Sequence, residues 1–240
     1  MLQSGEPPSQ PTPLAFFALD IRNRFLACAS EAWLSRFCAD VSNYFFEGTL
    51  KAEENWTHNI VPDLGNYLSL RRYDSGVYTA QDLTEIAEGI ELPDEVVAHE
   101  SIQQLRDLCS QVVAFSNDLF SYQKEVLRHQ SLNNMVHVLM THHALSFEDA
   151  VSQTVEMINE DVQAFVELES KRPKWGPEID AKVEAYIHGQ KAWMRGNLIW
   201  SLATGRYASQ DSPFPELRTE DCIVRQAARP ASYNLSSPRL

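Results

Sequence analysis

The chain has 240 residues, 44% of them hydrophobic, which suits one large domain or two small ones around a real core and excludes disorder for most of its length. Twenty lysines and arginines against 33 aspartates and glutamates leave a formal net charge of −13, so broad binding to nucleic acid or to an anionic membrane is opposed by repulsion. The four cysteines (Cys28, Cys38, Cys109, Cys222) are widely spaced without a CxxC, which argues against a disulfide framework and a structural zinc site and for a reducing, cytoplasmic location.

The opening Met1–Pro13 holds four of the twelve prolines and reads as a loop, without the basic start and apolar run of a secretory signal. From Leu14 to about Tyr207, apolar residues recur at three and four and the breakers fall between segments, so the chain reads as consecutive helices in one all-α domain, 14–218. The expected helices are 14–29, 31–54, 63–74, 79–88, 93–129, 131–143, 147–171 and 177–207. Asp74-Ser75-Gly76 interrupts a helical pattern that resumes, and glycine permits a break there. Ser146-Phe-Glu-Asp149 has the form of a capping box, and Pro177-Glu178 suits a first helical turn. Residues 219–240, rich in Ser, Pro and Arg towards the end, are expected to form a mobile tail. No stretch reaches the roughly 18 apolar residues of a membrane span.

The most informative run is Asn117-Asp118-Leu-Phe-Ser121-Tyr-Gln-Lys124-Glu125. Asn117, Ser121 and Glu125 at i, i+4 and i+8 give one helical face an amide oxygen, a hydroxyl and a carboxylate, the hard oxygen donors that magnesium takes. The same spacing also describes an ordinary polar helix face. The apolar flanks Val112, Val113, Leu119 and Phe120 turn part of the stripe inward, where polar donors need a partner.

A second cluster lies in the last strong helix, where Trp193, Asn197, Trp200 and Tyr207 fall on one face beside Arg206. Arg206 can fork onto phosphate oxygens while Tyr207 donates its hydroxyl. Read plainly, the same residues are core tryptophans and a cationic helix end. The seven histidines, including adjacent His142-His143, make no convincing metal site because neighbours on a helix point about 100° apart. GxSxG, GxGxxG and GxxxxGK[ST] are absent, and the acidic stretch Glu85–Glu100 reads as a solvated face.

The run Asn117–Glu125 resembles the second metal-binding motif of class I terpene synthases, and Arg206-Tyr207 resembles the Arg-Tyr pair near their C-terminal end. Arg71, 46 residues before Asn117, stands where the microbial members have a diphosphate-sensing arginine ahead of a helix break. The resemblance covers roughly Leu14 to Arg218 and is closest in flavour to fungal sesquiterpene synthases. It implies the class I terpenoid synthase bundle, with Asn117, Ser121 and Glu125 holding Mg2+. It further implies Arg71, Lys124, Arg206 and Tyr207 on the diphosphate, and Arg71, Asp74 and Ser75 as the catalytic switch at the break. Asn197 and Trp200 would line the cavity, with aromatic faces available to a carbocation.

The implied reaction is ionisation and cyclisation of a prenyl diphosphate, farnesyl diphosphate first among them, with a homodimer as an open expectation. One departure stands out: the family's aspartate-rich first motif is normally well over a hundred residues ahead of the second. Only 116 residues precede Asn117, with no Asp-Asp-x-x-Asp and with Asp20 and Asp40 isolated. The sequence therefore reads as N-terminally truncated, and an inactive or regulatory relative that binds diphosphate weakly is the competing expectation. A chain-elongating prenyltransferase ranks below both, since it should carry a second aspartate-rich motif at Asn117–Glu125.

Overall fold

A computed structural model describes residues 2–6, 9–10 and 12–218, and among these residues it contains helices and turns but no strand. Helix α1 spans Pro13–Leu26, capped by the Thr12 hydroxyl with proline at its first position, where the missing N–H costs nothing. α2 (Glu31–Asn43) passes through a π-helical turn, Tyr44–Thr49, into α3 (Leu50–Thr57). α4 (Leu64–Asp74) and α5 (Val77–Ala87) flank the expected break: Gly76 takes φ 69°, a left-handed conformation that a side chain would strain. α6 (Asp94–Val97), α7 (Glu100–Tyr122), a second π-helical turn (Gln123–Arg128), α8 (Met135–His142), α9 (Phe147–Lys171) and α10 (Pro177–Ala203) complete the bundle, followed by a 3₁₀ turn at Pro215–Leu217.

α7 is the axis. One side of it packs Ile102, Leu105, Cys109 and Val113 with Val96, Phe165, Val183 and Ile187 from α6, α9 and α10. The other packs Ala114, Phe115 and Tyr122 with Tyr67, Met135, Val138 and Ala150 from α4, α8 and α9. A third, smaller cluster of Trp33, Leu34 and Phe37 ties α2 to α1. Covered on both sides, α7 carries Arg106, Ser110, Ser116, Asp118 and Ser121 into the interior, where buried polar groups need partners.

Several expected boundaries shift for local reasons. The stretch 93–129 is three elements, because His99 takes an extended conformation and its Nδ1 accepts from the Ser101 N–H, capping α7 anew. Residues 131–134 lie outside the helix and lead into α8, where Asn134 is extended and its Oδ1 accepts from the Val136 and His137 N–H groups. α10 ends at Ala203, where Thr204 turns to extended backbone, so Arg206 and Tyr207 lie beyond the helix rather than on its face. The Ser146 cap forms as expected: its hydroxyl accepts from the Asp149 N–H at 3.1 Å and donates to the Asp149 carboxylate at 2.8 Å. Glu85 is not part of a solvated face. It is buried, accepting from Arg36 and from the Leu92 N–H. No helix among the described residues is long and apolar enough to cross a membrane. The expected tail at 219–240 falls outside the described residues.

Candidate active site

Arg71 sits in the last turn of α4, one turn before the break, with only 11% of its side chain exposed. Its guanidinium is held on three sides. Nη1 donates to Asp74 Oδ1 at 3.0 Å, while Nη2 donates to Asp118 Oδ1 at 2.6 Å and to Asn117 Oδ1 at 3.1 Å. Asp118, fully buried, also accepts from the Tyr67 hydroxyl and from the Met135 N–H at 2.7 Å. Burial pushes the Asp118 carboxyl up to about 6 against the opposing pull of Arg71. Burial likewise raises Asp74. Burial works against the charge on Arg71, but the two carboxylates outweigh it and hold the guanidinium firmly protonated.

Asn117 links this cluster to the C-terminal segment, because its Nδ2 donates to the Tyr207 hydroxyl at 2.7 Å. Tyr207 is buried between Phe120, stacked at 6.4 Å, and Trp200, edge-on at 5.9 Å. The adjacent Arg206 is exposed, its guanidinium 5.6 Å from the Tyr207 ring centroid. One turn along α7, the Ser121 hydroxyl donates to Glu125 Oε2 at 2.9 Å. Glu125 and the half-exposed Lys124 belong to the π-helical turn, and Glu125 stays on the Ser121 face despite the change of helical phase.

The donor set Asn117 Oδ1, Ser121 Oγ and the Glu125 carboxylate is all oxygen, with two members already in contact, which fits a hard divalent cation that completes its shell with water and phosphate. With one carboxylate in three, most of the balancing charge would come from the ligand. Among the described residues no group of three or more His, Cys, Asp and Glu forms a second such set.

Two cavities take lining residues from the α4–α5 break, Asp74 in one and Ser75 and Gly76 in the other. A polar one of about 550 Å³ is lined by Arg71, Asp74 and Glu125 together with Glu53, His129 and Asn133. An apolar one of about 680 Å³ runs between α5, α7 and α10, with Ser75 and Gly76 at one end and Leu83, Val113, Asn197 and Trp200 along its walls. Trp193, Asn197 and Trp200 thus share a face as expected. Asn197 Nδ2 donates to the Val113 carbonyl at 3.2 Å, locking α10 to α7. One flank is open, and Trp200 is 51% exposed.

The structure brings Arg71, Asp74, Asn117 and Tyr207 into one hydrogen-bonded cluster and Ser121 and Glu125 into another beside it. Sequence reasoning missed the anchoring role of Asp118, although it quoted the residue inside the motif. It also missed Asn133, which donates through Nδ2 to Asp74, and the buried network in which Arg106 pairs with Asp40 at 2.6 Å and Asp82 at 2.9 Å. A signal for the last was present: Arg106 adjoins Leu105 in the apolar register 102, 105, 109, 113 of α7.

Residues 1–164 match the family model described as Terpene synthase family 2, C-terminal metal binding. Germacrene A synthase of Nostoc punctiforme is 33% identical over 207 residues, covering 86% of this chain and 64% of that protein. Sesquiterpene synthase 3 of Postia placenta is 36% identical over 170 residues, covering 71% and 46%. The chain therefore spans between about half and two thirds of the length of these relatives. The crystal structure of an a-eudesmol synthase superposes with a TM-score of 0.75 at 20% identity, over 84% of this chain and 66% of that one. Linalool/nerolidol synthase from Streptomyces clavuligerus does so at 0.74 and 24% identity, over 83% and 70%. The fold is the class I terpenoid synthase bundle, and the chain belongs to terpene synthase family 2.

Proposed function

We propose that this chain carries the diphosphate-binding side of a sesquiterpene-forming lyase, with farnesyl diphosphate as substrate and Mg2+ as cofactor. The observation that carries this reading is the hydrogen-bonded cluster of Arg71, Asp74, Asn117 and Tyr207, of which Arg71 and Asp74 line the polar cavity while the next residue, Ser75, lines the apolar one. The polar lining suits a diphosphate head and the apolar lining a prenyl tail, and relatives named as sesquiterpene synthases favour a C15 tail. In the reaction the bond from C1 to the diphosphate oxygen breaks with both electrons leaving on oxygen. The allylic cation is then attacked by an alkene of the same chain, and proton loss yields the hydrocarbon.

Arg71, Lys124 and Arg206 supply positive charge to the leaving group, and Tyr207 supplies a hydroxyl donor. Asn117, Ser121 and Glu125 would hold the magnesium ion, whose bound charge offsets that building on the departing diphosphate. Ser75, at the break, lines the apolar cavity, and the ring of Trp200 offers a π face to a carbocation.

A second reading has its own support. The absence of a second acidic set among the described residues and the open cavity flank favour a 240-residue chain that binds magnesium diphosphate yet turns over slowly. Incubation with farnesyl diphosphate and Mg2+, followed by analysis of extracted hydrocarbons, separates the two: one clean sesquiterpene supports the lyase, traces support the binder. Both require magnesium-dependent binding of inorganic pyrophosphate that Glu125→Gln weakens about tenfold or more, an estimate from the loss of one charged ligand. No such binding by calorimetry would overturn both.

A further inference from the structure

Asp74 divides its carboxylate between two elements. Oδ1 accepts from Arg71 within α4, and Oδ2 accepts from Asn133 Nδ2, which reaches in from the segment between the π-helical turn and α8. That segment is itself tied back to the metal-candidate turn, since the Ser131 N–H donates to the Glu125 carbonyl at 2.7 Å. A third element touches the same point. The backbone of Gly48 in the first π-helical turn lies so close to Asp74 that a Cβ there would sit 2.7 Å from the Asp74 nitrogen.

The charge balance around Arg71 gives Asn133 its meaning. One guanidinium faces two carboxylates, Asp74 and Asp118, and Glu125 adds a further negative charge near Asp74. The local sum is negative, which opposes an incoming diphosphate. A neutral amide donating to Asp74 Oδ2 offsets that carboxylate without competing for Arg71, and it fixes the carboxylate so that Oδ1 alone engages the guanidinium. Nη1 then stays on Asp74 and Nη2 on Asn117 and Asp118, and both Arg71 and Asn133 line the polar cavity.

We propose that Asn133 is a positioning residue for diphosphate recognition: by holding Asp74 it sets the orientation of Arg71, and it couples the segment after Glu125 to the α4–α5 break. This rests on the diphosphate-binding reading given above. Asn133 acts only through Asp74, so its contribution should vanish when Asp74 is gone.

The test is a double-mutant cycle read by calorimetric binding of inorganic pyrophosphate in saturating Mg2+, on the full 240-residue chain. Asn133→Ala should weaken binding about tenfold, the loss expected for one hydrogen bond to a charged group. The nearly isosteric Asn133→Asp, which sets carboxylate against carboxylate, should weaken it further. In an Asp74→Ala background, Asn133→Ala should change affinity less than about twofold, a non-additivity that general loosening of the segment does not produce. Equal losses in both backgrounds, or unchanged binding in Asn133→Ala, would overturn the proposal while leaving the diphosphate reading intact. A wild-type chain that does not bind pyrophosphate would overturn both. Should Asn133→Ala fail to fold, the same comparison is made with Asn133→Asp, and the same criterion decides.

Discussion

Asp118 is the residue on which the site should depend most for its stability, and Asp118→Ala tests that. The substitution removes a fully buried carboxylate and with it three donors' partner: Arg71 Nη2, the Met135 N–H and the Tyr67 hydroxyl. Breaking a buried ion pair from one side costs about 3–5 kcal/mol. Arg71 retains Asp74, which places its share at the low end, but the stranded N–H and hydroxyl each add about 1–3 kcal/mol before relaxation. At the low end of each range the total expected is about 5 kcal/mol. For a domain of this size that corresponds to a fall of about 10–20 °C in melting temperature. Urea unfolding followed by circular dichroism, with an unchanged m-value, measures it. A variant within about 0.5 kcal/mol of wild type would refute the view that these contacts hold α4 and α8 on α7.

Two further outcomes follow from packing and titration. Gly48→Ala should destabilise by about 1–3 kcal/mol, because the new Cβ meets the backbone of Tyr73 and Asp74, which cannot swing aside as a side-chain tip can, and it should also weaken pyrophosphate binding; a variant with wild-type melting and affinity would contradict that close approach. Burial, with Asp40 and Glu85 nearby and against the pull of Arg106, raises the Asp82 carboxyl from 3.8 to about 7. The folded chain therefore binds more protons than the unfolded one between those values, and stability should fall as pH rises from about 4 to about 7. Asp82→Asn should flatten the decline in melting temperature between about pH 4.5 and 7, and an unchanged slope would count against the assignment, with His137, shifted the opposite way by burial, common to both proteins.

The helices were legible where a chemical device starts them, as at Ser146 and Pro177, and the break at Gly76 was legible because a left-handed residue is written in its glycine. The division of 93–129 was not. Apolar spacing runs unbroken from Val96 and Val97 to Ile102 and Leu105 because all four enter one core cluster, and periodicity reports burial rather than backbone continuity. The π-helical turns leave no mark in spacing either. In the site, Asn117, Ser121 and Glu125 were legible as neighbours along one helix. Asp118 and Asn133 were not, because their roles depend on where α4 lies, 47 and 59 residues away from them in sequence. Glu85 looked solvated from composition alone, since nothing local announces that Arg36, 49 residues earlier, buries with it.

The arrangement of these partners bears on how ligands bind. The candidate cation ligands are engaged within the chain: Asn117 Oδ1 by Arg71, Asn117 Nδ2 by Tyr207, and Ser121 by Glu125. A cation that takes the lone pair of Asn117 Oδ1 used by Arg71 Nη2 releases one N–H of that nitrogen for phosphate oxygen, while Nη2 keeps its bond to Asp118. A diphosphate that takes the same N–H releases Asn117 Oδ1 for the cation. Each ligand removes a bond that the other would otherwise have to break, so the two should bind with positive coupling beyond their direct attraction. Coupling of this kind is typically about 5–150-fold. Pyrophosphate titrated with and without Mg2+, corrected for the complex the two form in solution, reports the total. Asn117→Ala removes the shared bond and should reduce the coupling, leaving the direct charge attraction. An Asn117→Ala protein with the same coupling as wild type would show that Arg71 and the cation site do not communicate through this amide.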